Sequence, residues 1–133
     1  MGLKEIAIEF RAYLEDEIDD LANKRLARGE TVYAHRYASG DLGALQWVHK
    51  VFRNSLFYTT ETTPEGSLLW SPQPVADLNE TDINRQLGLL DSQIAAKLTK
   101  PEFERIGAND DSYNKKLTEL KREICDRFGY LLV

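Results

Sequence analysis

The 133-residue chain has one cysteine, one methionine, two histidines and four prolines. A lone thiol, Cys125, forms no intramolecular disulfide, which points to a reducing compartment. Neither His35 nor His49 has a cysteine or a second histidine at zinc-ligand spacing, and neither has a glutamate three residues before it, as diiron bundles require. No apolar run approaches the roughly 20 residues that span a bilayer. The opening MGLKEIAIEF carries acids and lacks the apolar centre of a signal peptide, and Ile6 stands where a myristoylation pattern needs Ser or Thr. A cytoplasmic protein without membrane association is expected. The G-x-S-x-G, P-loop, G-x-G-x-x-G and H-E-x-x-H patterns are also missing. The sequence therefore makes no positive case for an enzyme, and no catalytic residue, cofactor or metal is predicted.

Positive charge in blocks is missing as well. The net charge is −5, and it is unevenly spread. Residues 1–30 hold five basic against eight acidic side chains, and residues 59–82 hold five acidic and no basic ones. Only residues 31–58 carry a clear positive excess, three against one. An acidic chain with no Lys/Arg block argues against binding to a phosphate backbone.

What the chain does have is apolar spacing. With 42% hydrophobic and 29% charged residues it has the composition of a folded domain, and its length fits one domain with a core that needs no disulfide. Leu3, Ile6, Phe10, Leu14, Ile18 and Leu21 recur every three or four residues, which predicts a long helix over 3–28, closed by Lys24, Arg25, Arg28 and then Gly29. Residues 31–58 form a basic-aromatic segment and a central helix. Within it, 31–39 is read as a short helix, although its β-branched and aromatic content also suits a strand. Gly40 would end that helix and Asp41 would cap the next, over 42–57. That helix is apolar on two faces (Leu45, Val48, Phe52, Leu56; Ala44, Trp47, Val51), so it is expected to be the central, largely buried element.

Residues 59–79 contain three of the prolines, and Thr63-Pro64-Glu65-Gly66 has the pattern of a type I turn. A small central β-hairpin or extended loop is predicted there, with strands confined to 55–71; because isolated hairpins are marginal, it is expected to lie on the helices. Residues 80–133 show two matching seams, Ile83-Leu87-Leu90-Ile94-Leu98 and Tyr113-Leu117-Leu120-Ile124-Phe128, the pattern of an antiparallel helical hairpin. Between them, Thr99 to Gly107 could form a short capped helix, and Asn109 to Asp111 a cap for the last one. The fold class expected is mainly α, a helical bundle.

Few side chains stand out as functional. The acidic run Glu15 to Asp20 reads as a solvated helix face, and Cys125, beside the seam residue Ile124, as a small hydrophobe. The stretch Tyr33-Ala-His-Arg-Tyr37 is richer than a connector requires. Tyr and Arg anchor many protein interfaces, so Tyr33, His35, Arg36 and Tyr37, with His49, Lys50 and Arg53 from the polar strip of the central helix, are the candidate partner-binding residues. The favoured function is a non-catalytic interaction or assembly protein. It would be a homo-oligomer, since Ile8, Tyr13 and Leu26 fall outside the first helix's stripe, the central helix is apolar on two faces, and the chain ends in Tyr130-Leu-Leu-Val133. Two other readings remain: an acidic inhibitor imitating nucleic acid, for example against a nuclease, and a small enzyme or ligand-binding protein with a pocket near His35, Arg36 and His49.

Overall fold

The computed structural model describes residues 2–30, 32, 38, 40–73, 79–99 and 111–129. Its elements run α1 (Leu3–Ala27), α2 (Gly40–Leu56), β1 (Tyr58–Thr62), β2 (Leu68–Pro72), α3 (Glu80–Thr99) and α4 (Asp111–Phe128). Of the described residues 76% are helical, well above the third typical of globular domains. The mainly α bundle with a central hairpin is as the apolar spacing predicts. The expected short helices over 31–39 and 99–107 and the tail 130–133 fall, nearly in full, outside the described residues.

Each helix buries the stripe its spacing marks. Phe10 and Leu14 of α1, Leu45, Val48, Phe52 and Leu56 of α2, Ile83, Leu87, Leu90 and Ile94 of α3, and Tyr113, Leu117, Leu120, Ile124 and Phe128 of α4 form one core. No buried polar or charged residue occurs among the described residues. The predicted central role of α2 holds, since it meets α1, α3, α4 and β1, and α4 packs more extensively on α2 than on its sequence neighbour α3. Phe10 is the hub of the aromatic end of the core. Its ring meets Phe52 edge-on at 5.0 Å and Phe128 edge-on at 5.7 Å.

The helix ends follow local chemistry. Past α1, Gly29 takes φ +78°, and the Gly29 and Glu30 N–H groups donate to the carbonyls of Leu26 and Arg25, a Schellman closure. Asn79 caps α3 by accepting the Asp82 N–H at 2.8 Å. The start of α2 differs from expectation. The helix begins at Gly40, with φ +68°, so Asp41 lies inside the first turn instead of before it. Its carboxylate accepts from the Leu42 N–H and from the Arg25 guanidinium, both at 2.8 Å, while its own N–H donates to Ser112 Oγ. One residue thereby ties α1, α2 and α4 together.

The connector into α2 crosses the helix closely. Ala38 N–H donates to Gln46 Oε1 at 2.8 Å, and a Cβ on Gly43 would stand 2.0 Å from the Ala38 carbonyl oxygen. Gly43 is thus a packing glycine, required by a backbone that passes where a side chain would be.

Candidate functional site

The candidate residues on α2 are His49, Lys50 and Arg53, and two of the three turn inward. His49 is half-buried between α1 and α2, with Nε2 at 3.3 Å from Glu15 Oε2. Burial pushes its pKa below the ordinary histidine value, against the pull of the Glu15 carboxylate. At neutral pH the ring is therefore uncharged, and the contact is a hydrogen bond from Nε2–H to the carboxylate. Arg53 donates to Asn54 Oδ1 and lies 5.1 Å over the Tyr58 ring, where the hairpin leaves the helix. Lys50 is exposed. Tyr33, His35, Arg36 and Tyr37 lie outside the described residues.

The second apolar face of α2 is largely used inside the molecule. Trp47 and Val51 pack against the core, with Lys97 of α3 at 4.9 Å over the Trp47 ring. Tyr13, outside the stripe of α1, is likewise covered, with the Arg127 guanidinium 4.4 Å above it. Neither contributes the apolar surplus expected of it.

The acidic run is the exposed face expected, with Glu15, Asp16, Asp19 and Asp20 all exposed. Sequence reasoning missed that Glu15, while still exposed, also accepts from His49, because partners on different helices have no spacing signal. An open depression lined by Glu15, Ile18, Asp19, Gln46 and His49 marks this junction. Among the described residues no group of three or more His, Cys, Asp and Glu side chains is placed to hold a metal ion. Cys125 faces Asp91 and Lys121, and burial with the Asp91 carboxylate raises its pKa, so the thiol is protonated at neutral pH and a poor nucleophile. His49 is committed to Glu15 instead. No helix among the described residues is long and apolar enough to cross a membrane.

The hairpin is the feature that stands apart. Thr63 carbonyl accepts from Gly66 N–H at 2.9 Å, and Gly66 takes φ +85° before Thr63 N–H donates to Ser67 carbonyl. Together these make a type I turn closed by a glycine bulge. The strands pair antiparallel from Tyr58 opposite Pro72 to Thr62 opposite Leu68. They reach one residue beyond the predicted limit of 71. The hairpin does not lie on the helices as expected. Among the described residues its attachment is at the base, through Tyr58 and the hydrogen bond from Gln73 N–H to Phe57 carbonyl, and β1 is the strand that meets α2. Beyond the base both faces are open, with Leu68 64%, Leu69 51% and Trp70 47% exposed. Among the described residues the other large exposed apolar side chains, Ile8, Leu26 and Leu89, lie singly on helices. The signal was present in the sequence. Leu68-Leu69-Trp70 has no polar alternation, so a two-stranded ribbon turns apolar groups to both of its faces whatever its register.

Comparison with protein-family models, with curated proteins and with solved structures gave no match for the chain.

Proposed function

We propose that the chain is a non-catalytic protein–protein interaction or assembly protein, oligomeric in its working form, which presents its hairpin to a protein partner. The observation that carries this reading is the run Leu68-Leu69-Trp70, three adjacent large apolar side chains about half exposed or more on an element held only at its base. Clustered exposed apolar residues are costly to keep in water, and they mark contact surfaces far more often than single ones do. Tyr33, His35, Arg36, Tyr37 and Lys50 remain candidate contact residues in their own right, whereas His49 and Arg53 hold the scaffold. The protonated thiol of Cys125 favours this reading over nucleophilic catalysis by that residue.

The test is capture from native lysate, with mass spectrometry, by the parent chain and by a Leu68→Lys, Leu69→Lys, Trp70→Lys variant. The variant is expected to keep the parent's far-ultraviolet dichroism and lose its partners. Unchanged capture by a folded variant would sink the reading.

A further inference from the structure

The hairpin's backbone narrows the kind of partner it can take. The hydrogen bonds from Gln73 N–H to Phe57 carbonyl and from Thr63 N–H to Ser67 carbonyl bracket the ladder. Hydrogen-bonded pairs alternate in an antiparallel ladder, so Thr59 with Ser71 and Glu61 with Leu69 bond inward. Leu68, Trp70 and Pro72 then turn their backbone groups to the outer edge of β2. Among the described residues no third strand covers that edge. Proline fits at position 72 because its missing N–H would have pointed outward.

We infer that β2 pairs edge to edge with β2 of a second copy of this chain, antiparallel about a two-fold axis at Leu69, making a four-stranded intermolecular sheet. Three observations favour a second copy as the occupant. A two-stranded ribbon with two open faces is marginal by itself and gains from becoming four-stranded. The chain carries −5, which opposes self-approach, yet Gly66 to Gln73 contains no charged residue. A self-complementary contact must avoid setting like charges opposite each other, and this edge does. Glu61 lies on the far strand, so the two Glu61 residues would stand three strand spacings apart, about 14 Å, beyond the ~8 Å screening length of physiological salt.

Pro72 also selects the register. An axis at Leu69 sets Leu68 against Trp70 of the second copy, and the reciprocal pair likewise, so every outward N–H and C=O of both residues finds a partner. An axis at Trp70 would set Leu68 against Pro72, which has no N–H for the Leu68 carbonyl. In the favoured register Leu68 and Trp70 of both copies share one face as cross-strand apolar pairs, and the two Leu69 side chains meet on the other. The contact is small by the standard of stable dimers, which bury at least about 1,000 Å², so the dissociation constant expected is weak, on the order of 100 µM.

This inference rests on the proposed function, and the experiment separates the two. Sedimentation of the full chain from about 10 to about 500 µM, a range set by that weak affinity, should show mass rising from 15.2 kDa toward twice that value. Trp70→Pro removes an outward N–H and the indole while sparing the hairpin's own bonds, and should weaken association at least tenfold. On a Cys125→Ser background, Leu69→Cys should give an oxidised dimer, because residues facing each other at a non-hydrogen-bonded site sit about 4.5 Å apart at Cα, within disulfide reach. Ser71→Cys, whose counterpart would be Ser67, should give none. A parent chain at monomer mass throughout, with Leu69→Cys not cross-linking, overturns self-pairing. So does a dimer that persists in Trp70→Pro while Leu69→Cys stays uncrosslinked, since it would form through another face. If the chain is monomeric but its capture of other proteins is lost in the triple-lysine variant, self-pairing fails and the proposed function stands.

Discussion

Leu120 and Leu69 are the same side chain in two regions that treat it oppositely. On α4, Leu120 is 1% exposed, enclosed by the core that all four helices share. On β2, Leu69 is half exposed on a ribbon attached at one end. A helix with apolar residues every three or four positions has one face to bury, and four such helices can bury theirs against each other. A two-stranded ribbon has two faces and two edges, and this bundle covers little of either. The body therefore closes on itself, while among the described residues the hairpin keeps Leu68, Leu69 and Trp70 about half exposed or more.

The comparison breaks most visibly at the core. Leu120→Ala should cost about 2–5 kcal/mol, by lost burial and the cavity left behind. Leu69→Ala should stay within about 0.5 kcal/mol in dilute monomer, because the side chain is half exposed and outside the core cluster. Thermal or denaturant midpoints measured side by side decide this. Equal losses at the two positions would mean that the hairpin is docked in solution.

Next in size is Gly43→Ala. Alanine is intrinsically better in a helix by up to about 1 kcal/mol. Here, however, the new Cβ would stand 2.0 Å from the Ala38 carbonyl oxygen, a backbone atom that yields only if the connector moves. Overpacking of this kind costs about 1–3 kcal/mol, so the clash wins and a lower midpoint is expected. Gly66→Ala meets nothing within 4 Å but has φ +85°, so its cost is conformational, about 1 kcal/mol. It should be felt in the hairpin and not in the body. Amide hydrogen exchange would separate the two, with faster exchange over 58–72 and unchanged protection of Leu117 to Ile124.

How much of this was legible follows the same division. The seams of α1, α3 and α4 could be read because helical burial repeats within one element, so each residue's fate is written three and four positions away. The Thr63-Pro64-Glu65-Gly66 turn could be read because its chemistry is local. The role of Gly43 was not legible, since it depends on where the Ala38 carbonyl passes. The Glu15–His49 contact was hidden for the same reason: it joins α1 to α2 across 34 positions. Treating the hairpin as a flap on the helices erred on one point. A marginal element was expected to find its support on the helices, whereas Leu68 to Trp70 stay about half exposed or more. Among the candidate contact residues, His49, Lys50 and Arg53 lie on one helix, α2, and Lys50 alone of the three is exposed. The sequence had no means of showing that His49 and Arg53 fold their polar groups back onto Glu15, Asn54 and Tyr58.

The smallest expected effect tests whether His49 belongs to the closed body. Burial lowers its pKa in the folded state, with Glu15 opposing and Arg53 and Arg11 adding to the fall. Between that lowered value and the ordinary histidine pKa near 6.5, the unfolded chain binds more protons than the folded one. Stability contributed by the neutral ring is therefore present above about pH 6.5 and is lost as pH falls through that value toward the folded pKa. Denaturant midpoints from pH 7.5 to 5.5 should decline for the parent, and His49→Gln should flatten the part of the slope that belongs to this ring. The substitution keeps a donor for Glu15 but removes the titration, so its effect at pH 7.5 should be smaller than that of either glycine variant. An identical slope in parent and variant would mean that the ring titrates as a solvated histidine does, and the α1–α2 junction would then belong with the open surface, beside the hairpin.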